Sequence, residues 1–152
     1  MNVLITGAAG LLGSNLADYL VSKKINVIGV DDFSGGYIEN VHSNVSLYNL
    51  NLVTDVTELN KLFVSNKIDY VFHLAGVKGS PKMALEQPKD FMVPMLQFNT
   101  NMMEAAFRSN VDWYLYTSSV GVYSPAEVFF EDTVWSTFPS PNDKYAGWAK
   151  RI

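Results

Sequence analysis

Val3-Leu4-Ile5-Thr6-Gly7-Ala8-Ala9-Gly10-Leu11-Leu12-Gly13 is the stretch that decides the fold. Val3–Thr6 is a short apolar run of strand character, and it ends on a glycine turn that opens a helix. Leu11–Ser22 carries apolar residues at helical spacing, with Leu12, Leu16, Leu20 and Val21 toward one side. Each glycine here does something a side chain would obstruct. Gly7 can take the positive φ of a tight turn. Gly10 lets a diphosphate come close to backbone at a helix N-terminus, where free N–H groups and the helix dipole favour anions. Gly13, one turn on, lets the helix pack closely. The spacing is G-x-x-G-x-x-G rather than G-x-G-x-x-G. The missing Gly-Lys-Ser/Thr excludes a P-loop.

Working outward from this turn, strands and helices alternate. Asn26–Val30 reads as a second strand ended by Asp31-Asp32, and Phe33–Asn44, with Gly35-Gly36, as a loop. Val45–Leu50 is a third strand. Thr57–Asn66 is a helix with Thr57 as N-cap and Leu59, Leu62 and Phe63 inward. Tyr70–Leu74 is a fourth strand, Asp90–Asn110 a long helix with Pro94 in its first turn, and Trp113–Ser118 a fifth strand. Ser124–Asn142 is a long ordered loop, and Lys144–Ile152 begins a last helix. Strict alternation implies parallel strands joined by right-handed crossovers. Strands apolar on both faces imply helices on both sides of the sheet. The fold class is therefore α/β: a doubly wound parallel sheet in three α/β/α layers.

Asp31 stands at the offset from the glycine turn where an acid meets an adenosine ribose. A carboxylate accepts from both ribose hydroxyls and repels a 2′-phosphate. Asp32 adds to that repulsion, and no Arg follows at once to reverse it. These residues favour NAD over NADP.

Four motifs in order resemble the extended short-chain dehydrogenase/reductase family: Thr6–Gly13, Val30–Gly36, Val71-Phe72-His73-Leu74-Ala75-Gly76 and Tyr116-Thr117-Ser118-Ser119-Val120-Gly121-Val122-Tyr123. Within it, the chain is similar to the nucleotide-sugar epimerases and dehydratases. Pro88–Asn101 and Pro141–Lys150 are similar to GDP-fucose synthases. The resemblance implies a Rossmann-like fold with bound NAD and a nucleotide-sugar substrate. Gly7, Gly10 and Gly13 would form the diphosphate turn, with Leu11 and Leu12 at the helix start. Asp31 and Asp32 would lie at the adenosine ribose, Asn51 and Leu52 near the adenine, and Leu74, Ala75, Gly76 and Thr117 along the cofactor at the ends of strands four and five. Ser119, Tyr145 and Lys150 match the catalytic Ser/Thr, Tyr and Lys. The activity implied is transient oxidation of a sugar hydroxyl by hydride transfer to NAD. A homodimer through the 90–110 helix is implied as well.

Two departures from the family pattern stand out. Leu50-Asn51 replaces the usual Gly-Asp after strand three. Tyr145 and Lys150 are five residues apart where the pattern is Y-x-x-x-K. On a regular helix that step turns the side chains about 140° apart, whereas a four-residue step puts them on one face. Either Tyr145 precedes the helix, or Gly147 permits a bulge, or the tyrosine is not catalytic. The last option keeps a second class open: a non-catalytic NAD(P)-binding or sensor module. A nucleoside-binding methyltransferase also carries an acid after strand two, but the Thr117-Ser118-Ser119 strand end and His73-Leu74-Ala75 argue against it. His73 reads as structural and His42 as a solvated loop residue. Lys78, Ser80 and Lys82 are candidates to meet the sugar or diphosphate.

Composition sets the remaining bounds. The chain has 152 residues, 48% of them hydrophobic and 17% charged, enough for one core. A net charge of −4 with scattered basic residues gives no footprint for nucleic acid or an anionic membrane. The absence of cysteine excludes disulfides and thiol chemistry, and no metal site is expected. With no signal-peptide pattern at its start, the chain is expected to be cytoplasmic. Residues 1–152 are expected to be the NAD-binding portion of such an enzyme, ending before its substrate domain and inactive alone.

Overall fold

The computed structural model describes residues 1–77 and 79–152, and of Pro81 only the backbone. In chain order the regular elements are β1 (Asn2–Thr6), α1 (Leu11–Ser22), β2 (Asn26–Asp31), β3 (Ser46–Asn49), α2 (Val56–Asn66), β4 (Tyr70–His73), α3 (Pro81–Glu86), α4 (Lys89–Arg108), β5 (Trp113–Tyr116) and α5 (Lys144–Arg151). Single 3₁₀ turns lie at Ile38–Asn40, Val120–Val122, Glu131–Thr133 and Pro141–Asp143. The chain divides into two compact units. The first is Met1–Gly76 with Thr100–Thr117, and the second is Val77–Asn99 with Ser118–Ile152.

The first unit holds the sheet. Its five strands are all parallel, in the order β3-β2-β1-β4-β5. Register is fixed at the centre by Ile5 opposite Gly29 on one side and Phe72 on the other. In β1, Val3, Leu4, Ile5 and Thr6 are all buried in succession. Successive strand side chains point to opposite faces, so both faces are covered. This is the three-layer doubly wound arrangement expected. The strand order reverses direction between β1 and β4, and the crevice beyond the carboxyl ends of those strands is where such sheets take ligands.

Helix α1 has the expected bounds, and Leu20 is buried with Leu16 and Val21 packed against the core as expected, but Leu12 is not on that face. Gly13, Ser14, Ala17 and Leu20 point inward, while Leu12 is 65% exposed. Small residues carry the contact because α1 lies too close to the turn before it for a leucine to fit between. Helix α2 starts one residue early. Asp55 holds the N-cap position without a side-chain cap bond, and Thr57 lies inside the first turn. Asp55 instead accepts from the Asn51 amide at 2.9 Å. Leu59, Leu62 and Phe63 are buried as expected.

Helix α3 lies in a stretch to which the sequence pattern assigns no regular element. Ser80 caps it, its Oγ accepting from Met83 N at 3.2 Å, with Pro81 in the first turn. In α4, Pro94 lies past the first turn, so the helix runs through it without that N–H. Phe91, Met95, Phe98, Met102, Ala105 and Ala106 are buried, whereas Val93, Met103 and Phe107 are exposed, the last at 81%.

The two faces of α2 give a direct check on the core. Phe63→Ala should cost about 3–5 kcal/mol in urea unfolding. Val64→Ala, at a side chain 75% exposed, should stay within about 0.5 kcal/mol. Equal losses at the two positions would contradict this packing.

Candidate functional site

The glycine turn is built by close approach. Gly7 has φ +69°, and a Cβ there would lie 3.0 Å from Ala75 N. A Cβ on Gly13 would lie 2.1 Å from the Gly7 carbonyl oxygen, so α1 can start here only with glycine at that position. Gly10 occupies the N-cap of α1, its N–H donating to Gly7 O at 3.0 Å, and Ser14 N closes the first helical bond onto Gly10 O at 3.0 Å. The amides of Leu11, Leu12 and Gly13 therefore belong to the first turn, where helix geometry supplies them no carbonyl. The Leu11 and Leu12 side chains are exposed beside them.

Asp31 is tied to this turn. Its Oδ2 accepts from Ala9 N at 2.9 Å and its Oδ1 from Phe33 N at 2.8 Å. A carboxylate offers about four lone-pair sites, so two bonds leave acceptor capacity. The loop after β2 lies over the same turn. Tyr37 N and Asn40 Nδ2 both donate to Ala9 O, at 3.2 and 3.0 Å, and a Cβ on Gly36 would meet Ala9 at 2.8 Å. Asp32 turns elsewhere: its Oδ1 accepts from Ser34 N and Oγ, and its Oδ2 from Asn51 Nδ2 at 3.1 Å. Asn51 Oδ1 accepts from Val53 N at 2.9 Å, so both ends of this amide brace the exit of β3. Leu52 is buried, and its carbonyl accepts from Asn101 Nδ2 at 2.8 Å.

At the end of β4, Ala75 N donates to Thr6 Oγ1 at 3.2 Å, and the same hydroxyl meets His73 Nδ1 at 2.7 Å. His73 is fully buried and stacks on Tyr116 with ring centroids 5.4 Å apart, a structural residue. Thr117 Oγ1 donates to His73 O at 3.3 Å, tying the end of β5 to β4. A Cβ on Gly76 would meet nothing within 4 Å, so the space beside it is open.

The second unit holds the other candidates. Ser119 Oγ accepts from Gly121 N at 3.1 Å and so heads the 3₁₀ turn Val120–Val122; its O–H remains a donor. Helix α5 docks on this turn backbone to backbone. A Cβ on Gly147 would lie 2.5 Å from Gly121 O, and one on Gly121 2.2 Å from Asp143 Oδ2. Arg151, buried and not singled out from sequence, donates Nε at 2.9 Å and Nη2 to Val122 O, and Nη1 to Thr137 O. It also lies over the Trp148 ring. Tyr145 is the second residue of α5 and is 40% exposed, with the Lys144 ammonium 5.8 Å from its ring centroid. Because α5 runs unbroken from Lys144 to Arg151, the side chains of Tyr145 and Lys150 leave it about 140° apart. Burial pushes the Lys150 amine below the ordinary lysine range, and the Asp143 carboxylate pulls it back up. Burial raises Asp143, and Lys150 opposes that rise. Asp143 was legible only as two turns before Lys150. Ser80 and Lys82 sit on and beside α3, Lys82 pairing with Glu86 at 3.9 Å, while Lys78 lies outside the described residues.

This chain belongs to the NAD dependent epimerase/dehydratase family, whose model matches residues 3–151. It is 34% identical over 124 residues to a UDP-glucose 4-epimerase of Mycolicibacterium smegmatis, covering 80% of this chain and 39% of that protein. It is 28% identical over 131 residues to Protein CapI of Staphylococcus aureus. Among solved structures it resembles the UDP-glucose 4-epimerase of Thermotoga maritima with UDP-glucose (TM-score 0.85, 28% identity, 99% of this chain and 48% of that one). It also resembles the Thermus thermophilus enzyme in complex with NAD (TM-score 0.83, 25% identity). The chain spans about 40% of the length of the curated relatives it matches.

The turn itself makes a stability prediction. Gly13→Ala should lower urea stability by about 2 kcal/mol or more, because its methyl meets backbone that cannot swing aside. A loss below about 0.5 kcal/mol would mean the turn is looser than described.

Proposed function

We propose that this chain is the NAD-binding portion, residues 1–152, of a nucleotide-sugar epimerase acting on a UDP-hexose. The observation that carries the reading is Asp31 bonded to Ala9 N, which sets a carboxylate beside the amides that open α1. The residues fit the cofactor by their donor chemistry. First-turn amides of Leu11, Leu12 and Gly13 suit a diphosphate, the remaining acceptor sites of Asp31 suit ribose hydroxyls, and the open space at Gly76 leaves room at the end of β4. Bound NAD supplies a hydride acceptor. Of the relatives, those named UDP-glucose 4-epimerase favour epimerisation over dehydration.

In this reading Ser119 donates its O–H to the reacting sugar oxygen and holds it in place. Tyr145 takes the hydroxyl proton only where the first turn of α5 opens to bring it round toward Lys150, since in the unbroken helix the two leave about 140° apart. Lys150 lends positive charge that favours the phenolate. A homodimer through α4 is part of the same reading, supported by exposed Val93, Met103 and Phe107, which share one side of the helix. A cytoplasmic setting is part of it too. Among the described residues, no helix is long and apolar enough to cross a membrane.

The five-residue step from Tyr145 to Lys150 favours a second reading, an NAD-binding module without catalysis. Tyr145→Phe in a full-length version that carries the substrate domain, in an assay following UDP-glucose conversion to its 4-epimer, separates the two. Loss of turnover with retained NAD binding supports the enzyme, and no wild-type turnover with intact binding supports the module.

Isothermal titration tests the cofactor assignment. NAD should bind at least about tenfold more tightly than NADP. Asp31→Asn should weaken NAD about tenfold while affecting NADP less. Equal affinities, or an Asp31→Asn variant that binds NAD like the wild type, would overturn it.

A further inference from the structure

The corner where α5 meets Val120–Val122 contains a carboxylate that the proposed chemistry does not use. Asp143 occupies the N-cap of α5, where an aspartate ordinarily turns its oxygens onto the helix's own first amides. It makes no such bond. Its side chain lies flat against the α-carbon of Gly121, so close that any Cβ there would fall 2.2 Å from Oδ2 and 2.9 Å from Cγ. The Gly121 N–H is itself held by Ser119 Oγ. One contact chain thus runs from Ser119 through Gly121 to Asp143.

The helix carries it on to Lys150. Seven residues make two turns and bring a side chain back to within about 20° of its starting direction. Helical Cβ atoms tilt toward the N-terminus, so the Cα–Cβ bond of Lys150 is inclined along α5 in the direction of Asp143. The position four residues before Lys150, where the family pattern puts tyrosine, holds Ala146. The ionisable group that shares the Lys150 face is therefore Asp143.

We propose that Asp143 is a positioning residue: its carboxylate, seated on Gly121, holds the Lys150 ammonium in place and keeps it charged. This rests on the reading of Lys150 as part of the catalytic set, but the coupling of the two charges does not. The opposing pulls on the two groups agree with it, each countering the effect of burial on the other. Other charged groups on the elements packed here are engaged elsewhere. Arg151 points to the Val122 and Thr137 carbonyls, Lys144 lies over Tyr145, and on α3, which packs against Pro141–Asp143, Lys82 pairs with Glu86. The turn Val120–Val122 carries no charge.

The test is trace acetylation of the full chain with acetic anhydride from pH 6 to 11. The rate at Lys150 is read by mass spectrometry against exposed Lys67. Asp143→Asn should move the Lys150 midpoint down by about half a pH unit or more, a labelling gain of about threefold at any pH well below the midpoint. Gly121→Ala should do the same with both charges retained, since its methyl pushes Oδ2 aside. Far-UV circular dichroism selects the variants that fold, and either one decides. An unchanged midpoint overturns the proposal, including when the plateau rate rises, because a higher plateau alone reports only a loosened corner. The readout is amine chemistry and not sugar turnover. Failure here leaves the cofactor assignment standing, and an inactive enzyme leaves this coupling standing.

Discussion

The approach of Gly13 to the Gly7 carbonyl is the constraint on which the rest of the first unit depends. At 2.1 Å from a would-be Cβ, no other residue can start α1 in this position. That contact brings the first turn of the helix directly over the end of β1. It also explains why α1 buries Gly13, Ser14 and Ala17 while its leucines at 11 and 12 face outward. A helix so placed aims its free amides across the end of the sheet, where the strand order reverses.

The electrostatics follow from this placement. The first turn of a helix carries partial positive charge, and a carboxylate beside it is favourable on its own account. Asp31 takes that position through Ala9 N and at the same time pins the loop that begins at Phe33. Further bonds from Tyr37 and Asn40 to Ala9 O fix the same residue from its carbonyl side. Ala9 is thus held at both its N–H and its C=O, so the turn is ordered before any ligand arrives. A preorganised turn binds without paying to order itself.

Much of this was legible in sequence because it is local. The bounds of α1, the positive φ of Gly7 and the inward face of α2 all follow from periodicity and turn chemistry within a dozen residues. What escaped depends on distant partners or on competing local signals. Leu12 fits an apolar stripe, yet backbone contact with Gly7 decides which side of α1 faces in. Ser80-Pro81 is a helix start, but after Gly79 it reads equally as a turn. Asp143 and Arg151 show their roles only once Gly121, Val122 and Thr137 are brought against α5 from elsewhere in the chain. Asn51 reads as an adenine contact, and its engagement by Asp32 and Val53 could not be foreseen from one strand end.

In the proposed reading, amides at the start of α1 receive a diphosphate while Asp31 stands beside them. The most direct measurement is a set of ¹H–¹⁵N spectra of the chain recorded as NAD is added. The largest shifts should fall at Ala9, Gly10, Leu11, Leu12 and Gly13, with smaller ones at Asp31 and Ala75 and none along Val56–Asn66. Shifts centred on α2, or a turn that stays silent while NAD binds, would contradict it.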